Sequence, residues 1–108
     1  MKLYIGGLCQ GQEALARREN PGAALLKEFQ AVIREKLAAG EDTLAYTQRL
    51  CAEQPELVVV SDEVGSGVVP ISKEERLWRE AVGRALYVVA EHAESVTRVM
   101  CGIGVRLK

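Results

Sequence analysis

Residues 57–70 read Leu-Val-Val-Val-Ser-Asp-Glu-Val-Gly-Ser-Gly-Val-Val-Pro. The run Leu57 to Val60 is continuous, apolar and β-branched, without alternation, as in a strand buried on both faces of a parallel sheet. It ends in Asp62 and Glu63, and a glycine loop closed by Pro70 follows. In open α/β sheets, ligands lie beyond the carboxyl ends of the strands. Asp62, Glu63, Gly65 and Gly67 are expected at that place. A second loop, Gly6-Gly7-Leu8-Cys9-Gln10-Gly11, follows the apolar run Lys2 to Ile5 in the same way. Two such loops make a nucleotide or phosphate site the first expectation.

Working outward, Gln12 to Glu19 reads as a short helix stopped by Asn20-Pro21-Gly22, because proline is poorly tolerated in helix interiors and restricts the residue before it. Residues 23–39 read as one long helix. Leu25, Leu26, Phe29, Ile33 and Leu37 recur at three- and four-residue spacing, with charges mostly on the other side. Gly40 is a natural stop. Asp42 is expected to cap a helix from Thr43 to about Glu53, ended by Pro55. Ser72 and Glu75 form a capping box at the start of a helix running to about Ala93. Val96 to Cys101 is a strand, Gly102-Ile103-Gly104 a tight connection, and Val105 to Leu107 a last short strand.

The predicted fold is therefore a small three-layer α/β sandwich of P-loop type, with a mainly parallel sheet of about four strands, in one domain spanning residues 1–108. Parallel neighbours need crossovers, which are right-handed in nearly all known cases. A small sheet has a large share of open edge, and open edges invite pairing with another chain. A homo-oligomer is expected on that ground.

Composition excludes several classes. The chain has 108 residues, a net charge of -1 and a pI near 5.9, with 48% apolar and 27% charged residues. No basic patch marks a nucleic-acid surface. No apolar run reaches the length of a membrane span, and the N-terminal residues show no signal-peptide core, so a cytoplasmic location is expected. Cys9, Cys51 and Cys101 are odd in number and widely spaced, which argues against a disulfide framework. With His92 the single histidine, no metal site is expected.

Gly6 to Glu13 has the glycine spacing of the phosphate loop G-x-x-x-x-G-K-[ST], after a strand and before a helix. Gln12 replaces the lysine and Glu13 the magnesium-binding hydroxyl. Gln12 can donate a hydrogen bond but brings no charge, and a charged hydrogen bond is worth roughly 1.5–3 kcal/mol. Two like charges about 4 Å apart cost on the order of 4 kcal/mol at an effective dielectric near 20. Glu13 should thus oppose a triphosphate. At the helix start it is also expected to supply part of the anion the loop would otherwise recruit.

Ser61-Asp62-Glu63-Val64-Gly65-Ser66-Gly67-Val68-Val69-Pro70 resembles the T-N-E-V-G-x-G-I-V-P segment of the adenosylcobinamide kinase/adenosylcobinamide-phosphate guanylyltransferase family. Gly83-Arg84 is similar to that family's G-R-x-N-Q, and Cys101-Gly102-Ile103-Gly104-Val105-Arg106-Leu107-Lys108 to its S-G-I-G-V-K-I-K. The resemblance implies a P-loop-type fold, a place in late cobalamin assembly, a nucleotide (ATP or GTP, with Mg²⁺) or cobinamide-type ligand, and a trimer. It also implies a nucleotide site at Gly6, Gly7, Leu8, Cys9, Gln10, Gly11, Gln12 and Glu13, completed by Glu63, Gly65 and Gly67. The departures are as informative. The family's guanylylated histidine lies in a segment this chain largely lacks, and the Asn and Gln of G-R-x-N-Q are Leu86 and Tyr87 here. No residue is assigned a catalytic role. The expected function is a shortened, catalytically impaired relative with a retained capacity for nucleotide binding; the alternative is a non-catalytic interaction or regulatory protein that self-assembles or pairs with a full-length member.

The remaining candidates have plainer readings. Asp62 and Glu63 are expected either to contact a nucleotide or to cap the amides of their own loop. Gly65 and Gly67 serve backbone geometry. Cys9 is read as a loop cysteine before a reactive thiol, Trp78 and Phe29 as core or interface residues before ligand platforms, Arg84 as half of a helix-surface ion pair before a phosphate contact, and His92 as a capping or packing residue before a nucleophile.

Overall fold

The computed structural model describes residues 1–64 and 72–108. Its elements in chain order are β1 (Lys2–Gly6), α1 (Gln12–Glu19), β2 (Leu25–Leu26), α2 (Phe29–Ala38), α3 (Thr43–Glu53), β3 (Val58–Asp62), α4 (Lys73–His92), β4 (Ser95–Met100) and β5 (Ile103–Arg106). The strands form one sheet in the order β2-β3-β1-β4-β5. The first four strands in that order are parallel, and β5 runs antiparallel to β4. Central strand β1 pairs Gly6 with Asp62 on one side and with Val99 on the other. That register brings the first glycine loop and the Asp62 end of β3 to one edge of the sheet.

The three layers follow from the two-residue period of the strands. Val58 and Val60 of β3 pack with Tyr4, Val99, Leu15 and Ala16 on the α1 face. Val59 packs with Leu3, Phe29, Ile33, Val82 and Val89 on the face covered by α2, α3 and α4. A β3 apolar on both faces is what its unbroken valine run predicts. Asp42 caps α3, its Oδ1 accepting from the amides of Leu44 and Ala45 at 3.1 and 3.0 Å. Ser72 Oγ accepts from the amide of Glu75 at 3.1 Å, as the capping box requires. Among the described residues, no helix is long and apolar enough to cross a membrane.

Two elements differ from the sequence reading. The single helix expected over 23–39 is divided: Leu25 and Leu26 pair in parallel with Val58 and Val59 as a fifth strand. The helix starts only at Phe29, after Glu28 turns the chain at φ 55. Leu25 fits helical periodicity as well as it fits a strand, and only its pairing partner distinguishes them. The Gly102-Ile103-Gly104 connection is likewise shorter, since Ile103 and Gly104 already belong to β5. Cys101 and Gly102, at φ 52 and 75, make the turn.

Candidate functional site

The first loop leaves β1 at Gly6 and re-enters regular structure at Gln12. It is shaped by left-handed residues, Cys9 at φ 59 and Gly11 at φ 88. Gly6 has no room for a side chain: a Cβ there would lie 2.6 Å from the Val99 carbonyl oxygen. Gln10 anchors the loop to the β4–β5 turn. Its Oε1 accepts from the amide of Cys101 at 2.8 Å, and its carbonyl accepts from the amide of Gly102 at the same distance.

Gln12, the residue in the lysine position, is buried. Its Nε2 donates to the carbonyls of Gly6 and Gly7 at 3.1 and 3.0 Å and to Asp62 Oδ1 at 2.8 Å. The side chain thus turns inward, across the base of the loop to the tip of β3. Glu13 does not turn back to the helix start. Its carboxylate lies 3.1 Å from Arg17 Nε, one turn along α1, and the cap residue Gly11 offers no side-chain hydrogen bond. The self-supplied anion expected of Glu13 therefore goes to an intrahelical ion pair.

A second glutamine, unnoticed in the sequence, fixes the same strand tip from the opposite layer. Gln30, in the first turn of α2, is buried. Its Oε1 accepts from the amide of Asp62 at 2.9 Å and from Ser61 Oγ at 3.3 Å. Its Nε2 donates to Glu28 Oε2 at 2.7 Å. Its own carbonyl receives Trp78 Nε1 at 2.9 Å. The only advance signal was a polar residue inside an apolar stripe.

Between these groups lies a cleft of about 240 Å³, lined by the loop and first turn of α1 together with Glu28, Gln30, Ser61 and Asp62. Leu8, Cys9, Gly11, Gln12 and Glu13 all border it. Glu63 does not. Its amide donates to the Gly6 carbonyl at 2.7 Å, and its carboxylate stands 3.4 Å from Arg98. Gly65 and Gly67 lie outside the described residues. Burial raises the Asp62 carboxyl above its ordinary value, and the carboxylate of Glu28 adds to that rise.

Among the described residues, the donor set does not fit a nucleoside triphosphate with magnesium. The described lining carries the carboxylates of Glu13, Glu28 and Asp62 and no lysine or arginine. An anionic ligand would meet like charge where phosphate-binding loops place a cation. Among the described residues, no three metal-ligating side chains gather to offset it. Elsewhere, Arg84 pairs with Glu80 at 3.9 Å. His92 Nδ1 lies 2.9 Å from the Val88 carbonyl at the end of α4, where a packing or capping histidine was expected.

Comparison with known proteins places this geometry in a lineage. A family model described as cobinamide kinase / cobinamide phosphate guanyltransferase matches residues 12–107. The chain is 36% identical over 81 residues to the bifunctional adenosylcobalamin biosynthesis protein CobU of Escherichia coli (strain K12), covering 75% of this chain and 43% of that protein. It is 35% identical over 69 residues to the protein of the same name from Salmonella typhimurium, covering 63% of this chain and 38% of that one. The matched region is thus less than half the length of either relative. With a mostly parallel sheet, a glycine loop at the end of β1 and a sequence match over most of its length, the chain belongs to the cobinamide kinase / cobinamide phosphate guanyltransferase family.

Proposed function

We propose that this chain is a family member that keeps the phosphate-loop scaffold without performing nucleotide-dependent transfer, and that it acts by association. One observation carries the reading: Gln12 spends its side-chain donors on Gly6, Gly7 and Asp62, in a cleft bordered by three carboxylates. A lysine in that place would add a cation; the glutamine neutralises nothing and is tied down. The associating partner is a second copy of the chain or a full-length family member.

Thermal unfolding with ATP, GTP and GMP, with and without Mg²⁺, tests this. Ligand stabilisation follows RT ln(1 + [L]/Kd), about 2.7 kcal/mol at a hundredfold excess. The expected result is no shift at millimolar nucleotide. A second variant keeps the test sharp: Gln12→Lys with Glu13→Thr restores the missing groups and should gain a shift. Micromolar binding to the unaltered protein would overturn the proposal.

A second reading, weak nucleotide binding at Gly6–Glu13 with Glu63, Gly65 and Gly67, has the retained cleft at the strand ends in its favour. The same titration decides it, since it requires a saturable shift in the unaltered chain.

A further inference from the structure

A second cleft lies on the α1 face of the sheet, around the last residue of that helix, Glu19. Its volume is about 570 Å³, more than twice the 240 Å³ of the loop cleft. Lys2 and Tyr4 of β1 share this face by strand alternation. Thr97 of β4 and Arg106 of β5 stand opposite one another in the ladder beside them. Lys2 and Ser95, which also border the cleft, are the first residues of β1 and β4. Asp62, at the loop cleft, is the last residue of β3. The two clefts therefore sit at opposite ends of the parallel strands.

Four charged residues line this second cleft, two of each sign: Lys2, Arg106, Glu19 and Glu94. Lys2 and Glu94 offset one another at 3.8 Å, and Lys2 Nζ also donates to Asn20 Oδ1 at 3.0 Å. The other two are differently placed. Glu19 accepts from the Tyr4 hydroxyl at 2.8 Å, and Arg106 Nε donates to the Lys108 carbonyl at 2.8 Å. Among the described residues, neither Glu19 nor Arg106 enters an ion pair. Both nevertheless act on Tyr4, a buried residue between them. Burial pushes its hydroxyl above the ordinary value, Glu19 adds to the rise, and Arg106 opposes it. One anion and one cation thus face the same cleft without protein partners of opposite sign.

That arrangement discriminates by charge. A ligand that is only an anion gains at Arg106 and loses at Glu19, and a cation does the reverse. A ligand carrying both charges gains at both ends. We propose that this cleft binds a free α-amino acid as its zwitterion, with the carboxylate on Arg106 and the ammonium on Glu19. The guanidinium fork matches a carboxylate in two-point geometry. Thr97, which lines the cleft, offers a neutral hydroxyl to a polar side chain of the ligand. The volume falls within the usual range of small-molecule sites, roughly 300–1,000 Å³. This assignment goes beyond the association reading and does not rest on it.

Amide NMR of the isotope-labelled full chain, titrated with L-glutamine, tests the site. The expected result is a saturable change at Tyr4, Asn20, Thr97 and Arg106 at roughly millimolar ligand. N-acetyl-L-glutamine keeps only the anion, and L-glutamine amide keeps only the cation. Each should bind the unaltered protein roughly tenfold more weakly or worse, the weight of one charged hydrogen bond. Glu19→Gln preserves an acceptor for Tyr4, and Arg106→Gln preserves a donor for Lys108. Each should weaken glutamine by the same factor while the urea midpoint stays in place. The absence of a saturable change, equal binding of either blocked ligand, changes centred on Gly6–Glu13, or binding that survives both substitutions would each overturn the proposal. Glutamine and nucleotide titrations report on different ends of the sheet, so this site can fail while the non-transferase reading stands.

Discussion

Gln12 Nε2 lies 2.8 Å from Asp62 Oδ1, joining the first residue of α1 to the last residue of β3. The contact ties the base of the loop to the strand tip with protein groups alone. Because the same amide nitrogen also serves two loop carbonyls, loop shape and strand-tip position are coupled through one side chain.

Removing that side chain should cost stability. Gln12→Ala leaves the part-buried Gly7 carbonyl and Asp62 carboxylate without this donor, while the Gly6 carbonyl keeps the Glu63 amide. An unsatisfied buried polar group costs about 1–3 kcal/mol. The expected loss is in that range, read from the urea midpoint at unchanged slope. A loss below a few tenths of a kcal/mol would mean that water replaces the amide and that the loop is not held by it.

Asp62 should make the protein less stable as pH rises. Its folded carboxyl titrates above the ordinary 3.8, first through burial and then through Glu28. Between the unfolded and folded values the native state holds the proton that the unfolded chain has released, so stability falls as pH rises through the folded pKa. Asp62→Asn keeps an acceptor for Gln12 and removes the half-buried charge. The variant should be the more stable protein at neutral pH, with the difference closing as pH falls toward 3.8. Glu28→Gln should lower the Asp62 titration midpoint, measured by NMR. An unchanged midpoint would show that Glu28 does not act on it.

Trp78 should contribute through its ring nitrogen as well as its bulk. It donates to the Gln30 carbonyl at 2.9 Å, and the Arg34 guanidinium lies 3.9 Å from its ring centre. Trp78→Phe keeps a ring but loses the donor and the better π-face. The expected cost is about 1–2 kcal/mol from hydrogen bond and cation–π together. Equal stability of the two proteins would refute the role of the indole nitrogen in seating α4 on α2.

How much of this was legible beforehand depended on the range of the interactions. β1, β3, α1, α3 and α4 follow from local signals: an unbroken valine run, Asp42 and Ser72 as caps, and Asn20-Pro21 as a stop. Leu25–Leu26 escaped because a two-residue strand has no period of its own. Its state is set by Val58 and Val59, more than thirty residues away in sequence. At the site, the substitution of Gln12 for lysine could be read, but not its inward turn, which depends on where Asp62 lies. Gln30 was hidden because a polar residue in an apolar stripe gives no hint of its partners. Glu63 was placed at the correct strand end, yet its carboxylate goes to Arg98 rather than into the cleft.

Two glycines should differ in their tolerance of a methyl group. At Gly6 a Cβ would stand 2.6 Å from a backbone oxygen of the neighbouring strand, Val99. Relief requires β1 and β4 to separate, or the loop to leave its position over Gln12. At Gly104 the added atom would meet Leu15 Cδ2 at 2.8 Å and Thr97 Cγ2 at 2.9 Å, both side-chain termini that can rotate. Overpacking costs typically about 1–3 kcal/mol; Gly6→Ala is expected at the upper end and Gly104→Ala at the lower. Parallel thermal and urea unfolding of the two variants measures the order. If Gly104→Ala proved the more damaging, β1 and β4 would be more compliant at the loop than the packing of Leu15 on β5, and the loop could not be the rigid seat that the Gln12 contacts imply.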